Sequence, residues 1–168
     1  MAKVAFVLAD DFEDSEFQVP YERIREAGHQ VTVIGKEAGK EVRGKKGKVT
    51  FTPEATPDEV SAADFDALVV PGGYSPDKLR TAADVVKFVR SIFDGDKPVA
   101  AICHAGSLLV EADVVRGRTV TSWPSIRTDL VNAGAEWVDR EVVDDANLIT
   151  SRKPDDLDAF VAAILRRL

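Results

Sequence analysis

Apolar positions along the chain fall into two rhythms. Unbroken runs, "VAFVLA" from Val4, "ALVV" from Ala67 and "PVAAIC" from Pro98, have the form of strands buried on both faces of a parallel sheet. Between them, Asp14 to Ala27 carries Phe17, Val19, Ile24 and Ala27 at roughly helical spacing, and Ala82 to Phe93 is amphipathic throughout. Gly28 supplies the stop for the first of these helices. "QVTVIG" from Gln30 then completes a strand-helix-strand unit, which implies a parallel pair joined by a right-handed crossover.

The stretch from Lys36 to Pro53 alternates and contains Gly39, Gly44 and Gly47, so an antiparallel excursion is predicted there. "DFDALVVPGG" is the next buried strand. "KPVAAIC" is another, and "HAGSLLVEA" after it reads as a helix entered through a tight turn. "RTVTSW", a helix at about Ser125 to Ala133, "EWVDREVVDDANLITS" and a terminal helix from Pro154 to Leu168 complete an open α/β sheet. With no repeat, linker or low-complexity segment, residues 1–168 are expected to form one domain. Ligands of such sheets sit beyond the carboxyl ends of the strands, where "ADDFEDSE", "PGGYSPD" and "CHAGS" should converge on one rim.

Composition narrows the function classes. At 45% hydrophobic and 30% charged residues the chain is globular in character. Its apolar runs are too short for a bilayer span and no apolar leader follows a basic start, so no membrane association and a cytoplasmic location are expected. A net charge of −7 repels phosphate backbones, and the one basic cluster, "RGKKGK" at 43–48, reads as a hairpin loop; no nucleic-acid surface is expected. One cysteine makes no intramolecular disulfide, and with two separated histidines it makes no tetrahedral metal site. Neither metal nor cofactor is predicted.

That cysteine, Cys103, ends an apolar strand just ahead of a helix, the layout of a nucleophile elbow. A helix N-terminus there favours thiolate over thiol. His104 is the candidate acid or base; His29, in the helix-to-strand connection "EAGHQV", reads as a surface loop residue facing the other end of the sheet. Gly72 and Gly73 permit close backbone approach, and their N–H groups are candidates for an oxyanion hole. Carboxylates crowd "DDFEDSE". In most proteins such a run is a solvated loop, but a carboxyl lying against a thiolate should be protonated and donate a hydrogen bond to sulfur. Tyr74 and Trp123 are candidate pocket walls. A class-I glutamine amidotransferase would need a histidine after His104, and a response-regulator receiver an aspartate where Pro71-Gly72-Gly73 stands; the chain has neither.

"DDFEDSEFQVPYERIREAGHQV", "FDALVVPGG", "KPVAAICHAGSLLV", "GRTVTSWPSIRTDLVNAGAEWVD" and "LITSRKPDDLDAF" together resemble the PfpI family of the ThiJ/PfpI superfamily over essentially the whole chain. The resemblance implies a flavodoxin-like three-layer sandwich with a mostly parallel central sheet and a nucleophile elbow. It places the nucleophile on Cys103, the following histidine on His104, and the glutamate that hydrogen-bonds the sulfur on Glu16, four residues ahead of Pro20, with Glu13 as the alternative. In oligomeric protease-like relatives a glutamate after "PGG" completes a triad across a subunit interface; this chain has the shorter Asp77. Ala105 stands where relatives often have glycine and is expected to tighten the elbow.

The family's activities all begin with thiolate attack on a carbonyl-derived carbon. The reading favoured here is a deglycase or glutathione-independent glyoxalase acting on glyoxal- or methylglyoxal-derived adducts. Alternatives are an intracellular peptidase using Cys103, His104 and Asp77, and a non-catalytic redox sensor or stress chaperone, since an accessible low-pKa thiol is also what stepwise oxidation selects. Expected partners are small carbonyl compounds or glycated or peptide substrates, and further copies of the chain in a dimer, trimer or hexamer assembled through the "PGGYSPD" region.

Overall fold

The computed structural model describes residues 1–168. In chain order its elements are β1 (Lys3–Val7), α1 (Asp14–Glu26), β2 (Gln30–Ile34), β3 (Val42–Arg43), β4 (Thr50–Phe51), β5 (Ala67–Val70), α2 (Ser75–Leu79), α3 (Ala83–Asp94) and β6 (Val99–Ile102). There follow α4 (Gly106–Glu111), β7 (Thr119–Val120), α5 (Arg127–Asn132), β8 (Glu136–Trp137), β9 (Val143–Asp145), β10 (Leu148–Ser151) and α6 (Leu157–Leu165). The main sheet has the order β2-β1-β5-β6-β10-β9 and is parallel except for β9, which pairs antiparallel with β10. Its five parallel strands run 2-1-3-4-5 in sequence order, the flavodoxin-like arrangement.

The unbroken apolar runs have a simple cause. Alternate residues of each strand enter different cores: Ala5 and Val7 of β1, Leu68 and Val70 of β5 and Val99 and Ala101 of β6 join one. Val4 and Phe6, Ala67 and Val69, and Ala100 and Ile102 join the other. Neither face meets water, so neither phase of the alternation can be polar. Helices α3 and α4 cover the first core; α1 and α6 cover the second.

Helix α1 starts where Glu13 caps it, its carboxylate accepting the N–H groups of Ser15 and Glu16. It ends at Ala27, followed by Gly28 at φ +92°, a left-handed turn that glycine adopts without penalty. The predicted antiparallel excursion is the β3-β4 hairpin, and "RGKKGK" is its turn.

Three expectations need correction. "RTVTSW" contributes only β7, which pairs with β8 outside the main sheet. The terminal helix begins with a 3₁₀ turn at Pro154–Asp156 and is α-helical only from Leu157 to Leu165. The acidic run after β1 is not a solvated loop. Asp14 is buried, its two carboxylate oxygens accepting the N–H groups of Lys46, Lys48 and Val49 at 2.9 Å, while Lys46 Nζ lies 2.8 Å from Glu13. Acidic helix start and basic hairpin turn thus satisfy each other, and both Glu13 and Asp14 are held below the usual carboxylate range despite their burial.

Candidate active site

Three turns meet at the carboxyl ends of β1, β5 and β6. Phe12 forms a β-bridge with Gly73, Glu13 N–H donates to the Gly72 carbonyl, and Tyr74 N–H donates to the Asp11 carbonyl. The "PGG" turn is thereby clamped between the start of α1 and the end of β6. Close approach is the reason for glycine at residue 72: a Cβ there would stand 2.4 Å from Glu16 Oε1, 2.7 Å from the Ile102 carbonyl oxygen and 2.9 Å from Cys103 Cβ.

Cys103 follows β6 directly at φ +63°, left-handed backbone that a non-glycine residue rarely adopts. The reversal turns its side chain back over the strand end, which is the elbow geometry. The residue is 6% exposed. The N–H groups of His104 and Gly73 point at the sulfur, and the Lys45 ammonium on the hairpin turn lends positive potential. These effects are outweighed. Burial, and the charge of Glu16 when that carboxyl is ionised, push the thiol up to about 12, opposing the thiolate that a helix start favours. The helical segment after the elbow also opens with a 3₁₀ turn, Cys103–Ala105, and α4 itself is only six residues long.

Glu16 is fully buried. Its Oε1 accepts the Gly72 N–H at 3.0 Å, and its Oε2 is buried without a hydrogen-bond partner, with the Cys103 thiol among the groups that act on the carboxyl. Burial, reinforced by the nearby charge of Glu13, pushes Glu16 up to about 8. At neutral pH it therefore carries a proton, and the repulsion that opposes a charged sulfur is switched off. His104 Nδ1 lies 3.4 Å from Cys103 Sγ. Burial, with Lys45 nearby, lowers the imidazole below its ordinary value, so it is neutral at pH 7 and able to take the thiol proton.

The remaining predicted residues are sorted by position. Glu13 is taken up by capping α1 and by Lys46, which leaves Glu16 as the carboxyl beside sulfur. The N–H of Gly73 is aimed at the sulfur, but that of Gly72 is bound to Glu16 and is withdrawn from any oxyanion hole. Ala105 is fully buried in the core under α4 and does not border the opening. Asp77 is exposed on α2 and forms no hydrogen bond or ion pair with His104 within the chain. Trp123 lies obliquely near His104, ring centroids 6.3 Å apart, and both it and Tyr74, which directly follows Gly73, are exposed. His29, at the far end of the sheet as expected, is half-buried and accepts the Ala2 N–H on Nδ1.

One residue escaped the sequence reading. Ser125 Oγ lies 3.2 Å from His104 Nε2. Its only sequence signal is a hydroxyl just after Pro124 in "TSWPS", beside the tryptophan that drew attention to the segment. A surface hollow of about 770 Å³ lies elsewhere: Pro57, Asp58, Ser91 and Lys97 line it at the amino ends of β5 and β6, and none of the site residues does.

A flavodoxin-like sheet bearing a left-handed cysteine elbow, with a buried glutamic acid against the thiol, defines a cysteine-centred α/β protein. The chain belongs to the DJ-1/PfpI family, whose profile matches residues 2–167. It is 52% identical over 167 residues to protein/nucleic acid deglycase 2 of Escherichia coli, covering 99% of this chain and 97% of that one. It is 50% identical to general stress protein 18 of Bacillus subtilis, over 94% of this chain and 92% of the relative. Among solved structures it superposes with TM-score 0.98 and 41% identity on a two-domain protein of Anabaena variabilis containing DJ-1/ThiJ/PfpI-like and ferritin-like domains, covering 99% of this chain and 48% of that one.

Proposed function

We propose that the protein is a cysteine-dependent deglycase, releasing amines from methylglyoxal- or glyoxal-derived adducts and delivering the aldehyde fragment as a hydroxyacid. The observation that carries this reading is the placement of Cys103 between a proton-carrying group, the Glu16 carboxyl, and a proton acceptor, His104 Nδ1 at 3.4 Å. The likeness to a relative named for deglycation supports it.

His104 takes the thiol proton as Cys103 Sγ bonds to the carbinol carbon of the adduct. The carbon–nitrogen bond breaks, and the amine leaves with the proton that His104 returns. The product on the enzyme is a hemithioacetal. His104, neutral again, takes the proton of that carbon and returns it to the adjacent carbonyl carbon by way of an enediol, while the hydroxyl proton passes to the former carbonyl oxygen, converting the hemithioacetal to a thioester of the hydroxyacid. Water cleaves the thioester and restores the thiol. Glu16 stays protonated and donates to the sulfur whenever it carries charge, and the Gly73 N–H adds a second donor.

The exposure of Tyr74 and Trp123 supports assembly of further copies through these residues, to be sized by sedimentation. No helix is long and apolar enough to cross a membrane, and we place the protein in the cytoplasm, a location that fractionation checks.

The test is incubation with a methylglyoxal-modified peptide, free methylglyoxal and casein in parallel, with lactate and free amine as readouts. Lactate from the first two substrates, reduced about 10³-fold or more in Cys103→Ser, is the expected result. Undiminished turnover by Cys103→Ser, or cleavage of casein alone, overturns it.

A further inference from the structure

A histidine that accepts a proton on Nδ1 must hold its other proton on Nε2 and must not rotate. The surroundings of His104 offer few ways of ensuring this. Cys103 Sγ faces Nδ1 and Ser125 Oγ faces Nε2 at 3.2 Å. The charged groups acting on the ring are Lys45, a cation that cannot accept an N–H, and, through the thiol, Glu16. The indole of Trp123 lies to the side.

We propose that Ser125 is the positioning residue of His104, fixing its Nε2–H tautomer and ring orientation so that Cys103, His104 and Ser125 form a proton relay within one chain. The inference rests on the reading of His104 as the base. A hydroxyl suits the position because it both accepts and donates. While the thiol is protonated, Ser125 Oγ accepts from Nε2–H and the Nδ1 lone pair is left facing sulfur. When Nδ1 has taken the thiol proton, the imidazolium still donates through Nε2 to the same oxygen. When Nε2 gives up its proton to a reacting group, the hydroxyl turns and donates to it. No rearrangement of heavy atoms is required at any stage.

The segment carrying Ser125 is tied to the elbow independently of that hydrogen bond. Trp123 N–H donates to the Cys103 carbonyl at 3.2 Å, and the 3₁₀ turn Pro124–Ile126 closes with Ile126 N–H on the Trp123 carbonyl. Ile126 and Leu130 pack against Gly106 so closely that a Cβ there would meet them at 3.1 to 3.4 Å. Ser125 is thus held at a fixed distance from His104 by backbone and core contacts.

The experiment compares Ser125→Ala, Ser125→Thr and Asp77→Asn by ¹⁵N NMR of the histidine rings and by kinetics on the methylglyoxal-modified peptide. There are only two histidines, and His29, pinned by the Ala2 N–H, is the internal reference. The expected result is a neutral His104 in the Nε2–H form, mixed tautomers in Ser125→Ala, and restoration in Ser125→Thr. In parallel kcat falls about 10-fold with KM unchanged in Ser125→Ala, while Asp77→Asn leaves the ring signals in place. Unchanged tautomer and rate in Ser125→Ala, or a tautomer change in Asp77→Asn alone, overturns the proposal. If the ring signals respond as expected but the native protein turns over no adduct, the relay stands and the deglycase reading fails.

Discussion

The carboxyl of Glu16 and the thiol of Cys103 share one buried niche, and they meet there because residue 72 between them has no side chain. The two groups must be treated as a coupled pair. Whichever of them is charged raises the proton affinity of the other.

The pair sets the alkaline limit of activity. Glu16, pushed up to about 8, loses its proton above that pH and then opposes charge on the sulfur. Activity on the adduct should fall as pH rises through about 8. Glu16→Gln, which stays neutral, should lack that limb while losing about 10-fold in rate, its amide N–H being a weaker donor to charged sulfur than the carboxylic acid. An alkaline limb unmoved in Glu16→Gln would separate it from Glu16.

The same shift has a stability consequence of opposite sense to the usual carboxylate case. Between the ordinary value of 4.5 and about 8, the folded protein keeps a proton on Glu16 that the unfolded chain releases. Folded stability should therefore decline as pH rises across this window. Denaturant midpoints at pH 5 and pH 8.5 check it, and Glu16→Gln should flatten the difference; a midpoint that climbs with pH in the native protein and not in the variant would contradict the assignment.

Gly72→Ala is predicted to be costly. A methyl 2.4 Å from Glu16 and 2.7 Å from a backbone oxygen leaves no flexible neighbour to give way. A loss of about 1–3 kcal/mol is expected from such overpacking, with thiol alkylation rates altered because the Glu16–Cys103 contact is pried apart. Native alkylation kinetics in the variant would count against the wedge.

Asp14→Ala tests the lock between α1 and the β3-β4 hairpin. Three N–H groups lose a charged acceptor, and about 2–3 kcal/mol of stability should go with it. Hydrogen exchange reads the site directly: the amides of Lys46, Lys48 and Val49 should lose protection, whereas unchanged protection would show that the hairpin is held by other contacts.

Lys45 sits on that hairpin, and its charge favours the ionised forms of Glu16 and Cys103. Lys45→Met should slow alkylation of Cys103 at fixed pH and raise the His104 value, which the lysine lowers. Equal alkylation rates at low ionic strength would remove Lys45 from the site's electrostatics.

What the sequence made legible follows from how far apart the interacting residues are. The strands β1, β5 and β6 showed through because burial on two faces writes itself into consecutive residues. The elbow was legible because strand, cysteine and helix are contiguous. The pairing of Asp14 with Lys46, Lys48 and Val49 spans more than thirty residues, and each half alone looks like ordinary solvated charge. Ser125 was missed for the same reason, lying 21 positions from His104. Resemblance named Glu16 with Glu13 as alternative, and only the helix cap distinguished them, since it directs Glu13 to the hairpin and Glu16 inward. A helix start, which favours the thiolate, is visible in sequence, whereas the depth of burial that opposes it is not.

The left-handed backbone at residue 103 also restricts which nucleophiles evolution or an engineer could install there. Serine, with a single substituent beyond its β-carbon, can follow cysteine into that conformation; threonine, branched at the β-carbon, meets the preceding carbonyl and is barred although its hydroxyl is chemically competent. The repertoire of catalytic heteroatoms open to this scaffold is set by a torsion angle before reactivity is considered.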